Sequence, residues 1–286
     1  MPDVIPQLLP VPHDLQPWLE AAVIVKAPGT LALSHFPAMI SSMLVVRLQG
    51  LVLCRGEMVP PSAWISASTV PADYQHSGEV HAVGLVLRPE ASGALFANAR
   101  GRINTMCPLS GLVGPRWSQV EQEVLAAPED QARLGVLFRF VRQEIAPPSS
   151  CETRRQQALA LLQAAALTGA PGDRSMPWSQ RQLERHFAKL WGMSPKQFAL
   201  IARLNNALGD ALAEPDGSVA DLATEHGYFD QSHLGRDVRR LTGHPLPAMK
   251  QSTQNTLTTH WPLQAGVHIL QSPKPQAVEP PPARKR

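Results

Sequence analysis

Residues 179–198 read SQRQLERHFAKLWGMSPKQF, and residues 219–243 read VADLATEHGYFDQSHLGRDVRRLTG. The two stretches carry the same short helix. Shifted by 51 residues, Gln180, Leu183, Arg185, Leu190 and Gly192 recur as Gln231, Leu234, Arg236, Leu241 and Gly243. Ser179 matches Asp230, and both side chains are good helix N-caps. Phe187 matches Val238, so Leu183, Phe187 and Leu190 form one apolar face and Leu234, Val238 and Leu241 its counterpart. Each copy ends on a glycine suited to the left-handed C-terminal position.

The second copy has a partner ahead of it. Val219–Glu225 is a short amphipathic helix, and His226-Gly227-Tyr228 turns the chain, with Gly227 supplying a positive φ. A helix, a glycine turn and a capped second helix make a helix-turn-helix, whose second helix reads the major groove from its N-terminal end. Gln231, Ser232, His233 and Arg236 are the exposed residues there, all able to bond base edges or phosphates. Between the copies, Lys196–Ala213 predicts a helix of about 27 Å, a spacer able to hold two reading helices roughly one DNA turn apart.

On these residues, with the Arg203-Leu204 pair of the spacer, 179–250 resembles the DNA-binding domain of AraC/XylS-type transcriptional regulators. The resemblance implies an all-α domain with two helix-turn-helix motifs joined by a linker helix. By position it places base or phosphate contacts on Arg181, Glu184 and Arg185 in the first helix, and on Gln231, Ser232 and Arg236 in the second. The first copy departs from the pattern. A shift of 51 residues lays Leu222-Ala223 onto Pro171-Gly172, and Thr168–Asp173 cannot be a regular helix. Either Glu152–Leu167 supplies the supporting helix through a long loop, or the first motif is degraded. Gly235 inside the second reading helix costs about 1 kcal/mol against alanine.

The first half has a different texture. Prolines, 28 in 286 residues, crowd it and separate short apolar runs. Glu20–Lys26, Met43–Leu48, Leu51–Cys54, Ala63–Thr69 and Val80–Leu87 read as strands. Glu90–Asn98, Trp117–Ala126 and Asp130–Ile145 read as helices, the last with Leu134, Leu137, Phe138 and Val141 on one face. Ala146–Ser150 breaks the chain as a linker. Arg88-Pro89-Glu90 followed by Ala94-Leu95-Phe96 resembles a strand-to-helix turn in the sensor domains of the same family. The expected organisation is thus multi-domain. Residues 1–147 form an α+β, β-rich, degenerate cupin-like sensor and dimerisation domain, 152–250 the DNA-binding domain, and 251–286 a low-complexity tail.

Charge and composition bound the function. Residues 1–150 hold 10 Lys+Arg against 12 Asp+Glu, and 151–286 hold 16 against 11, which favours an anionic partner for the second half. No 18-residue uncharged apolar run and no basic-then-apolar leader occur, so the protein is expected in the cytoplasm and off the membrane. Cys54, Cys107 and Cys151 are too few and too scattered for a disulfide framework or zinc cage.

The function expected is sequence-specific DNA-binding transcription regulation. The partners are double-stranded DNA, a small-molecule effector, a second copy of the chain and, for an activator, RNA polymerase. Neither catalytic residues, cofactor nor metal is expected. His76, Glu79 and His81 were weighed as metal ligands and read as surface-strand residues, and Trp18, Trp64 and Trp117 as core rather than pocket lining. Two alternatives stay open. One is an interaction module with a degraded DNA-binding domain. The other is a cysteine-dependent alkyl-transfer regulator, with Cys151 beside Arg154 and Arg155 as its best nucleophile.

Overall fold

The computed structural model describes residues 7–27, 29, 32–145, 179–214, 216–252 and 258–260. The strands in chain order are β1 (Gln7–Leu9), β2 (Leu19–Ala27), β3 (Leu33–Phe36), β4 (Ser42–Cys54), β5 (Glu57–Met58), β6 (Ser62–Ile65), β7 (Ala72–Leu87) and β8 (Met106–Pro108). Among and after them come α1 (Ala91–Leu95), α2 (Leu109–Val113), α3 (Arg116–Ala126) and α4 (Asp130–Glu144). The second half contributes α5 (Gln180–Trp191), α6 (Pro195–Ala213), α7 (Val219–Glu225), α8 (Gln231–Thr242) and α9 (Leu246–Ser252), then β9 (Thr258–His260). The β-rich first half and helical second half agree with the expected fold class. No described helix is long and apolar enough to cross a membrane.

The sheet runs β1-β2-β7-β4-β6-β8, with β3 beside the first part of β7 and β5 folded back on β4. All these pairs are antiparallel, while β9 joins β3 in parallel. Alternate residues of the central strands go to opposite cores. Ala21, Val23, Met43 and Val86 pack in one core with Leu183, Phe187, Trp191 and Phe198 of the helical domain. Ala22, Ile24, Leu44, Val83, Leu85 and Leu87 pack in the other with Trp117, Leu137 and Phe140 of α3 and α4. A sheet buried on both faces needs apolar residues at successive positions, which is why Met43–Val46 and 82–87 are apolar runs. Each fully buried Val or Leu contributes about 1.5–3 kcal/mol.

Several sequence expectations shift. Met43–Leu48 and Leu51–Cys54 are one strand, β4, bent where Gly50 takes φ 85° and the register slips on either side of Gln49. β7 starts eight residues before the expected Val80, and β6 ends at Ile65 rather than Thr69. Glu90–Asn98 divides into α1 and a 3-10 turn at Ala97–Ala99. In α4, Val136 and Phe140 are buried with Leu134, Leu137 and Val141, while Phe138 is only partly covered. Trp64 and Trp117 are core residues as read, and Trp18 is partly buried against the same core. Within the stretch expected as a tail, Thr258–His260 extends the sheet. The linker Ala146–Ser150, Cys151, Glu152–Leu167 and Thr168–Asp173 lie outside the described residues.

Candidate nucleic-acid interface

Both copies of the repeated helix form as their ends dictate. At the start of α5, Ser179 Oγ accepts from the Gln182 N–H, and Gln182 Oε1 accepts from the Ser179 N–H at 2.8 Å, a complete capping box. At the start of α8, Asp230 Oδ1 accepts from the His233 N–H at 2.6 Å. Gly192 and Gly243 close the two helices in the left-handed conformation, with φ 70° and 78°. The connecting helix α6 begins one residue earlier than expected, with Pro195 in its first turn and a Ser194/Gln197 capping box. Its 19 residues span about 28 Å.

The second motif is held by a buried carboxylate. Asp237 is 7% exposed on the inner side of α8 and sits 3.0 Å from Arg240 and 3.6 Å from Arg203 of α6. Arg203 also lies over the Tyr228 ring at 4.2 Å and donates to the Gly227 carbonyl. Gly227 takes φ 67°, and a Cβ there would meet nothing within 4 Å. Its requirement is therefore the turn conformation. The close packing of α7 falls to Ala223, which is 1% exposed.

Arg181, Glu184 and Arg185 are exposed on α5, and Gln231, Ser232 and Arg236 on the first turns of α8. His233 is placed differently. Its Nδ1 accepts from the Phe229 N–H, its ring meets Tyr228 edge-on at 5.2 Å, and Nε2 lies 3.9 Å from Asp237, so it braces the turn. Phe229 escaped the sequence reading. It is 92% exposed, directly before the Asp230 cap. An apolar residue at that position usually staples onto the helix four residues past the cap. Here that residue, Leu234, faces the core, leaving Phe229 at the mouth of α8 beside Gln231 and Ser232.

The β-rich domain grips both copies of the repeated helix at matching points. The Leu190 carbonyl of α5 accepts from the Gly101 N–H at 3.1 Å, and the Leu241 carbonyl of α8 accepts from the Ala38 N–H at 2.7 Å. Leu190 and Leu241 are equivalent positions of the repeat. Trp191 Nε1–H donates to the Pro89 carbonyl, and Asn205 of α6 donates to the Ala38 carbonyl, both buried. Gly192 packs so tightly that a Cβ would lie 2.4 Å from the Gly101 carbonyl oxygen. The C-terminal ends of α5 and α8 are thus both anchored to the β-rich domain. Their exposed N-terminal turns are at the far ends.

A cavity of about 100 Å³ opens in the sheet between β2, β4 and β7. Its walls are aliphatic, with Phe36 and Tyr74, and its polar groups are Ser34, Arg47 and His76. Arg47, 9% exposed, donates to the Val59 carbonyl at 2.7 Å, and among the described residues no carboxylate pairs with it. His76 bonds Ser34 Oγ through Nε2, while its buried Nδ1 has no partner among the described residues. Burial, with the nearby Arg47 charge, lowers the His76 pKa to about 4, so the ring is neutral at pH 7. Val23 and Met43 line the cavity and also belong to the core shared with the helical domain. His76, Glu79 and His81, weighed above as metal ligands, are not brought together among the described residues, since His81 turns to Asp130 at 2.8 Å. Burial raises the Cys54 and Cys107 thiols, the reverse of what a nucleophile needs.

Residues 174–252 match a family model described as a helix-turn-helix domain. No curated protein matches the sequence. Among solved structures, the chain is similar to ToxT from Vibrio cholerae O395, at 6% identity and a TM-score of 0.44, covering 82% of this chain and 98% of that one. A structure of the same protein bound to (E)-4-(8-methylnaphthalen-1-yl)but-3-enoic acid gives 8%, 0.43, 81% and 98%. Unsaturated fatty acid bound wild-type ToxT from Vibrio cholerae strain SCE256 gives 7%, 0.37, 80% and 95%.

Proposed function

We propose that residues 174–252, which match a helix-turn-helix family model, are an AraC-type DNA-binding domain, and that the protein is a transcriptional regulator that reads two stretches of major groove with α5 and α8. The observation that carries this reading is the shared anchoring of the two helices. Equivalent carbonyls, Leu190 and Leu241, are fastened to one domain, and the capped N-terminal turns stay exposed. Arg181, Glu184 and Arg185 contact DNA from α5, and Gln231, Ser232 and Arg236 from α8. His233 supports the turn, and Phe229 reaches a sugar or a thymine methyl group. Affinity comes mainly from phosphates and falls with salt.

The cavity takes the effector. A guanidinium that no carboxylate among the described residues neutralises, set among aliphatic walls, fits a small apolar monocarboxylate, whose charge pairs with Arg47 and whose body fills the space. Filling it moves Val23 and Met43, which carry the helical domain. The protein acts in the cytoplasm as a homodimer joined through the β-rich domain, and as an activator it would engage RNA polymerase.

A salt-titrated binding assay on the full chain tests the reading, with DNA from upstream of its own gene against scrambled DNA. The expected result is sequence preference with a clear salt slope, and a loss of about 1–3 kcal/mol of specific binding in Arg236→Ala. A panel of aromatic and short aliphatic monocarboxylates should shift that affinity, and Arg47→Met should abolish the shift. No preference and no slope would leave a domain that dimerises or binds protein instead.

A further inference from the structure

Three side chains capable of binding metal converge where the two domains meet. His35, Asp73 and His244 each offer a ligand atom, and these atoms all lie within 4.8 Å of one another. His35 and Asp73 face each other across the β3–β7 ladder. His244 follows Gly243, the residue that closes α8. His35 Nδ1 lies 2.7 Å from Asp73 Oδ1 and 3.1 Å from His244 Nε2. None of the three belongs to the DNA-reading surface or the cavity.

The backbone holds each group in place. The strand register fixes His35 and Asp73. Thr242 Oγ1 accepts from the His244 N–H at 3.0 Å and donates to the His244 carbonyl at 2.8 Å, which fixes the third. Hydrogen bonding serves this triangle poorly. A neutral His35 ring brings to Nδ1 either one proton, shared between Asp73 and His244, or a lone pair that faces the carboxylate. A divalent cation accepts a lone pair from all three groups at once. In a tetrahedral zinc site with bonds of about 2.0–2.1 Å, ligand atoms stand roughly 3.3 Å apart, so the 2.7 and 3.1 Å contacts of His35 would open by about 0.6 and 0.2 Å.

Further features favour the ion. The Asp73 side chain is 58% exposed and gives a path from solvent. In the parallel β3–β9 ladder, His260 is the register partner of His35.

We propose that His35, Asp73 and His244 bind a divalent ion of the zinc class, and that this ion clamps the helical domain to the sheet where α8 ends. Two imidazoles and one carboxylate are a donor set that suits zinc. The clamp stands whether or not the helices read DNA.

The test is a zinc titration of the untagged, chelator-stripped full chain, with the thermal midpoint followed in parallel. The expected result is one equivalent bound and a raised midpoint, with affinity at least tenfold weaker in His244→Ala and in Asp73→Asn. The second variant alters an exposed side chain and should fold as the parent does. Absence of binding, or equal binding in the parent and both variants, would overturn the site. Binding at these residues with no change in midpoint would overturn the clamp.

Discussion

Glu20 stands partly buried at the start of β2, where the Ser41 hydroxyl donates to both carboxylate oxygens at 2.8 and 2.9 Å. Burial nevertheless pushes its pKa up to about 8, against that hydrogen bond and the charge of Arg88. An unfolded glutamate titrates near about 4.3, so between there and pH 8 the folded chain binds the extra proton. Its contribution to stability is therefore complete at low pH and lost as pH rises through 8. The thermal midpoint of the full chain should fall from pH 5 to pH 8, and Glu20→Gln, neutral throughout, should flatten that fall. A parent profile as flat as the variant's would contradict the assignment.

Residue-scale features were legible in the sequence where their physics is local. Ser179, Asp230, Gly192 and Gly243 act within a few residues of themselves, and all four behave as their types predict. Arg47 and the His35, Asp73 and His244 group were not legible. Their meaning depends on neighbours brought together by the sheet, from as far as 209 residues away in the chain. The triplet that sequence proximity did suggest, His76, Glu79 and His81, is dispersed, with His76 turned to Ser34 and His81 to Asp130 on either side of Gly78 at φ 77°.

At the scale of elements, long apolar segments were read well and polar or short ones were missed. β3 is only Leu33–Phe36 with two polar residues, and the first half of β7 carries Asp73, Gln75, His76 and Ser77. Neither shows the β-branched pattern that marks a strand. Gly50 concealed the continuity of β4, because a glycine bulge looks like a turn when read alone. Gly235 in α8 provides a test at this scale. A Cβ added there would meet nothing within 4 Å, so the helix gains propensity without a clash. Gly235→Ala should stabilise the chain by about 1 kcal/mol, seen as a higher denaturant midpoint at unchanged slope. An unchanged or lower midpoint would mean that the flexibility of Gly235 serves the folded helix.

Across the whole molecule, the sheet is the middle of three layers, and the helical domain covers one of its faces. Composition divides the sequence into two halves, yet the docking between them is hidden in it. The equivalence of Leu190 and Leu241 was visible as a shared buried face, but nothing local shows that their carbonyls receive N–H groups from Gly101 and Ala38. On the proposed reading, two helices fastened to one domain would meet DNA together. The decisive measurement is a base-protection footprint of the full chain on its preferred DNA, repeated with Arg185→Ala and Arg236→Ala. Two protected major-groove segments about one helical turn apart are predicted, each weakened by one of the two substitutions. A single protected segment, or two that both ignore the substitutions, would contradict the reading of DNA by α5 and α8.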